Sequence, residues 1–185
     1  MGFGRHHYFA VRSTDQTPSA TGQDEITIRL GTTDDLQTIA ELCIVEIRFR
    51  SSAPVFSPPE NPSLDDVIEA HRMLHDTGAT HFIASLDDRD VGVLTLENCQ
   101  GMPALCAIGQ PFIGETGTLE AARGRGVGTA LVDAAIAWSA QHEHPWISVD
   151  FQPPNPLSRR FWLGAAFIPT GYGVVRAIHP SHGPT

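Results

Sequence analysis

The chain has 185 residues, with a hydrophobic share of 41% and a charged share of 18%, the size and balance of one ordinary globular domain rather than a disordered or membrane-embedded chain. A formal net charge of −9 speaks against nucleic acid, whose affinity comes largely from basic residues neutralising phosphates, and suits a cationic ligand. All twelve basic residues are arginine, so the protein has no lysine amine of its own to modify.

The first residues, Met1-Gly2-Phe3-Gly4-Arg5-His6, lack the apolar core of a signal peptide, and His6 stands where a myristoylation motif wants Ser or Thr. No apolar run approaches the roughly 20 residues that span a bilayer. The expectation is a cytoplasmic protein without a membrane partner. Residues 1–24 are rich in polar residues without periodicity and read as an N-terminal tail, ahead of one domain over 25–180 and a short C-terminal tail at 181–185.

Ile26-Thr27-Ile28-Arg29-Leu30 alternates as a strand. Thr32 or Thr33 caps the next helix, with Asp34 and Asp35 at the positive end of its dipole and Leu36, Ile39, Ala40, Cys43 and Ile47 on its apolar face. The Pro-rich stretch 51–62 resists helix. Ser63-Leu64-Asp65-Asp66 opens a second helix that stops at Gly78. Segments 81–86 and 91–97 form a hairpin, 107–118 a further strand, 126–141 a helix, 147–151 a strand and 156–163 a short helix. Residues 167–178 read as two final strands bent at Gly171. The predicted fold class is α/β in the broad sense: a mixed, mostly antiparallel central sheet with helices on both faces.

Cys43, Cys99 and Cys106 are an odd set without metal-type spacing and read as reduced thiols. His71 and His75, four apart on a helix, supply two donors with no third in view, so no metal is expected.

Arg123-Gly124-Arg125-Gly126-Val127-Gly128-Thr129 lies between a strand and an amphipathic helix. Glycines admit an anion to the backbone, and the unpaired N–H groups of the helix start point at it with the dipole behind them. The pattern reads as a phosphate cradle. It is not a P-loop, which needs Lys, nor a dinucleotide fingerprint, because Thr129 replaces the third Gly.

Arg123-x-x-Gly126-x-Gly128, with Thr129-Ala130-Leu131 opening a helix, resembles the acyl-CoA motif of the GNAT N-acetyltransferases. Asn155, Ser158, Phe161-Trp162 and Phe167 resemble that family's downstream segment, and the element order is similar over residues 26–180. The resemblance implies acetyl transfer from acetyl-CoA to a primary amine by direct attack in a ternary complex. It implies a CoA site at Thr118, Leu119, Glu120, Arg123, Gly124, Arg125, Gly126, Val127, Gly128, Thr129, Asn155, Ser158 and Trp162, a small-molecule amine or peptide N-terminus as acceptor, and a possible homodimer.

An alkylamine with a pKa near ~10 must lose a proton before it attacks. Glu115, three residues before Thr118, is the first candidate base; Asp150 and Glu97 follow, and a water chain remains an alternative. Two departures from the family pattern stand out: Ala166 replaces a Gly, and Trp162 replaces the Tyr that often protonates the leaving thiolate. An indole is a hydrogen-bond donor but not a proton-transfer acid. Tyr172 is then the candidate to line the acceptor pocket or serve as acid. A non-catalytic acyl-CoA-binding sensor is the competing reading.

Overall fold

A computed structural model of the protein describes residues 4–15, 25–50, 61–100 and 108–175. Seven strands form one sheet: β1 (Gly4–Ser13), β2 (Ile26–Leu30), β3 (Thr80–Leu86), β4 (Arg89–Asn98), β5 (Pro111–Thr118), β6 (Trp146–Phe151) and β7 (Ile168–Val175). The α-helices among the described residues are α1 (Leu36–Arg50), α2 (Leu64–Asp76), α3 (Val127–Gln141) and α4 (Pro156–Gly164). The sheet order is β2-β3-β4-β5-β6-β1-β7. Every neighbouring pair is antiparallel except β5 and β6, which are parallel.

Local sequence explains the helix starts. The Ser63 side chain accepts the Asp66 amide while the Asp66 carboxylate takes the Ser63 N–H, a reciprocal cap worth about 1 kcal/mol. Asn155 caps α4 by accepting from the amides of Leu157 and Ser158, with Pro156 at a first-turn position that needs no N–H.

The sheet is covered on both faces, as neighbouring residues of its central strands show. Ile83 and Val93 pack with Ile39, Ala40, Cys43, Ile47 and Val67 of α1 and α2. Phe82 and Leu94, one residue away, pack with Leu131, Ala135 and Ile136 of α3. Period-two alternation thus sends two hydrophobic sets to opposite sides. Trp162 and Phe167 extend the second core around α4, edge to face with ring centroids 5.2 Å apart.

Two expectations need correction. Part of the presumed N-terminal tail is a ten-residue strand inside the sheet. β1 fills the gap between β6 and β7, pairing Tyr8 with Phe151 on one side and with Tyr172 on the other. Its paired edges satisfy backbone groups that neither neighbour could satisfy alone. Residues 168–175 form one strand rather than two bent at Gly171. Residues 51–60 of the Pro-rich stretch, and 176–178 and 181–185, lie outside the described residues. Among the described residues, no helix is long and apolar enough to cross a membrane.

Candidate active site

The parallel pairing of β5 with β6 is short: Phe112 faces Ser148 and Ile113 faces Val149, and no further pair follows. Beyond that point Gly114–Thr118 and Asp150–Gln152 stand on opposite sides of a cleft of about 790 Å³. Its outer end reaches Arg123, Gly124 and Gly126–Thr129 at the start of α3. Asn155 at the N-cap of α4, the α4 residues Ser158, Phe161 and Trp162, and Glu46 and Phe49 of α1 also line the cleft.

The glycine loop has the backbone that its sequence requires. Gly126, at the N-cap of α3, has φ of 89°, a left-handed conformation that disfavours any side chain. At Gly128, a Cβ would stand 3.3 Å from the Phe161 ring. The first amides of α3 therefore open onto the cleft without side chains in front of them, the geometry that favours an anion.

The two arginines diverge. Arg123 lines the cleft, its guanidinium 4.7 Å from the Phe49 ring centroid and its Nε donating to the Thr118 carbonyl over 3.4 Å. Arg125 turns to Asp87 at 3.2 Å and Glu25 at 3.5 Å. Its side chain is an exposed ion-pair partner outside the lining, which instead includes Arg160 as well as Arg123. Thr118, Val127, Thr129, Asn155, Ser158 and Trp162 all line the cleft, whereas Leu119, Glu120 and the Arg125 side chain do not. Trp162 is at once core and wall: 4% exposed, yet part of the lining.

The acidic candidates fall in two places. Glu115 lines the cleft, and His71 Nε2 of α2 lies 3.2 Å from its Oε2. Asp150 lines the opposite side, where its Oδ2 meets Nδ1 of His7 at 3.0 Å. Glu97, on β4 beside Gly114, is half-buried. Burial pushes its carboxyl above the ordinary range; neighbouring Glu115 adds to this, and His71 opposes it. Tyr172 is on edge strand β7, 60% exposed and outside the lining of the cleft.

Three features were not legible beforehand. His7 lines the cleft because β1 is inside the sheet. Glu46 adds a third carboxylate to Glu115 and Asp150 in a lining that also holds Arg123 and Arg160. Behind Glu115, Cys43, His71 and Glu115 bring one donor atom each to within 4.8 Å of one another. The third donor missing beside His71 and His75 thus exists for His71. The three have the donor types of a transition-metal site, although the His71 ring lacks a partner at Nδ1 of the kind that usually orients a metal-ligating histidine. Cys43 is a buried thiol outside any disulfide, but Cys99 is disulfide-bonded, contrary to the reduced thiol expected there. Cys106 lies outside the described residues.

Comparison with known proteins agrees with this architecture. Residues 45–165 match the model of the acetyltransferase (GNAT) family. No curated protein sequence matches the chain. Among solved structures, the fold is similar to the aminoglycoside N-acetyltransferase AAC(6')-Iy bound to the bisubstrate analogue CoA-S-monomethyl-acetylneamine, at 17% identity and a TM-score of 0.63, over 83% of this chain and 98% of that one. AAC(6')-IG from Acinetobacter haemolyticus gives 17% identity and a TM-score of 0.63 over the same shares, 83% and 98%. A transcriptional regulator from Bacillus halodurans gives 20% and 0.60, over 83% of this chain and 99% of that one. At such identities the likeness concerns the fold; the family match extends from α1 through the glycine loop to α4. The chain belongs to the GNAT acetyltransferase family.

Proposed function

We propose that the protein is an acetyl-CoA-dependent N-acetyltransferase acting on a small cationic amine. The observation that carries this reading is the cleft itself: a glycine-lined helix start at one end and the carboxylates of Glu46, Glu115 and Asp150 around it. The amides of Arg125 to Thr129 hold the CoA pyrophosphate, with the Arg123 guanidinium beside them. The pantetheine arm runs along the diverging edge of β5 towards Thr118, between Trp162 and Asn155 of α4 on one side and the strand on the other. A backbone N–H of β5 polarises the thioester carbonyl and stabilises the tetrahedral oxyanion.

Glu115 takes the proton. The N–H bond of the ammonium breaks with its electron pair staying on nitrogen, and the proton passes to the carboxylate. The amine adds to the carbonyl carbon as the C=O pair moves onto oxygen. The oxyanion then re-forms the carbonyl while the C–S bond breaks with its pair on sulfur, and the nitrogen gives up its second proton to water or to the departing thiolate. Thiolate leaves readily, either unassisted or protonated through water, so the absence of Tyr at Trp162 is compatible with turnover. Asp150, paired with His7, and Glu97 are the alternative bases. Of these, Glu97 is the weaker choice for the charged form because burial, with Glu115 next to it, favours its protonation.

The carboxylates of Glu46, Glu115 and Asp150 would attract polyamines and amino sugars over neutral amines. The acetyltransferase reading predicts that free thiol is released from acetyl-CoA faster with a primary amine present. A panel of aminoglycosides, polyamines and amino acids tests it. A protein that binds acetyl-CoA but releases no thiol with any of them is the sensor instead.

A further inference from the structure

Cys43, His71 and Glu115 meet from three separate elements. Cys43 is on α1, His71 on α2 and Glu115 on β5, and each brings one donor atom to within 4.8 Å of the other two. Cys43 and His71 are 1% and 2% exposed, whereas the Glu115 side chain is 26% exposed and lines the cleft. The cluster is buried on its helix side and opens to the cleft at Glu115.

The spacing suits one ion. Zinc bonds of about 2.0–2.3 Å put the ligands of a tetrahedral site roughly 3.3–3.8 Å apart. His71 Nε2 and Glu115 Oε2 are already 3.2 Å apart. Closing the widest spacing in the set, at most 4.8 Å, takes about an ångström of side-chain adjustment. Sulfur and imidazole nitrogen beside one oxygen select a zinc-class ion over magnesium or calcium, which take oxygen shells. Charge also closes. A thiolate, a carboxylate and a neutral imidazole carry two negative charges against the two positive charges of the ion, and the thiol proton leaves to water on binding.

The surroundings give the burial of these groups a reason. Cys43 packs with Ile39, Ile47, Val67 and Val93 in an otherwise apolar cluster. His71 Nδ1 and His81 Nε2 are buried and find no hydrogen-bond partner among the described residues. Hydrogen bonds therefore do not fully offset the cost of placing these imidazoles there, and a metal–ligand bond to His71 would contribute what is missing. Its ring lies edge to face with His81 at a centroid distance of 5.3 Å. Packing thus holds it, in place of the hydrogen bond that usually orients a metal-ligating histidine.

We propose that Cys43, His71 and Glu115 form a binding site for a divalent transition metal of the zinc class, its fourth position facing the cleft. The ion and an incoming amine then compete for one carboxylate, so loading the site silences the enzyme. That consequence rests on the reading of Glu115 as the base; the site itself does not.

Cobalt(II) is the probe, because its thiolate complexes have a sulfur-to-cobalt absorption band and its d–d bands report tetrahedral geometry. The full, untagged chain is stripped with a chelator and titrated anaerobically. Both sets of bands should appear, saturate at one ion per chain and vanish when zinc is added. Cys43→Ser keeps the volume and should abolish the sulfur band; Cys43→Ala repeats the test without a buried hydroxyl. Glu115→Gln should weaken cobalt binding by more than the roughly 10- to 100-fold that loss of a merely supporting residue costs. No sulfur band in the parent, a band that survives both Cys43 variants, or an affinity unmoved in Glu115→Gln overturns the proposal. Formation of N-acetylated amine should fall in step with zinc loading, each protein being compared with its own metal-free rate. Undiminished turnover at full loading leaves the site standing and refutes Glu115 as the base instead.

Discussion

Gly128→Val isolates the phosphate cradle from the fold. The residue is in the first turn of α3, and a Cβ there would meet the Phe161 ring edge at 3.3 Å. That contact is tight but yields to a shift of a few tenths of an ångström, so the fold should lose only about 1–2 kcal/mol. Gly126→Val is a poorer probe, because its φ of 89° adds backbone strain of about 1–3 kcal/mol. At Gly128 a branched side chain would crowd the helix start proposed to hold the pyrophosphate. Loss of one hydrogen bond to a charged oxygen costs about 1.5–3 kcal/mol, which corresponds to roughly 10- to 150-fold in Kd. Isothermal calorimetry with CoA, alongside thermal unfolding of the same preparation, reads both quantities. A variant that unfolds near the parent's temperature and binds CoA within about twofold of it would place the pyrophosphate elsewhere.

Glu115→Gln preserves shape and removes basicity, so turnover should fall by about 10²-fold or more and the acidic limb of the pH–rate profile should disappear; an unchanged profile transfers the role to Asp150, Glu97 or water. Tyr172→Phe should cost less than about tenfold, since the hydroxyl is on an exposed edge strand outside the cleft lining; a loss of about 10²-fold with acetyl-CoA affinity unchanged would make it the general acid after all. His81 gives a stability test. Its folded pKa of about 4 is below its ordinary 6.5, so the unfolded chain binds more protons between those values and stability should fall as pH drops through that window. Urea unfolding of the parent and His81→Asn at each pH isolates this slope, while Glu97, with its raised folded pKa, acts in the opposite sense. A slope identical in the two proteins refutes the burial account.

Much of this site was legible because its signals are local. The Ser63 and Asp66 cap, the alternation through β3 and β4, and the glycines at 124, 126 and 128 each act within a few residues of chain. What escaped notice depends on distant pairing. β1 reads as a strand only once β6 and β7, over 130 residues later, are present to flank it. Its sequence, GRHHYFAVRS, has aromatic and β-branched residues but sits among turn-formers that mask the pattern. Cys43 and His71 sit on helix faces that periodicity assigns to core, and only the packing of α1 on β5 and of α2 on α1 brings them to Glu115. Arg125 looked like a phosphate ligand by position, and its acidic partners Glu25 and Asp87 come from separate parts of the chain.

The central claim is transfer of the acetyl group to an amine in this cleft, and mass spectrometry of the acceptor tests it most directly. The purified protein is incubated with acetyl-CoA and the amines that accelerate thiol release, with Glu115→Gln as control. The account predicts an N-acetylated amine formed one for one with free CoA, greatly slowed in Glu115→Gln. An acceptor that stays unmodified while acetyl-CoA is bound would contradict it.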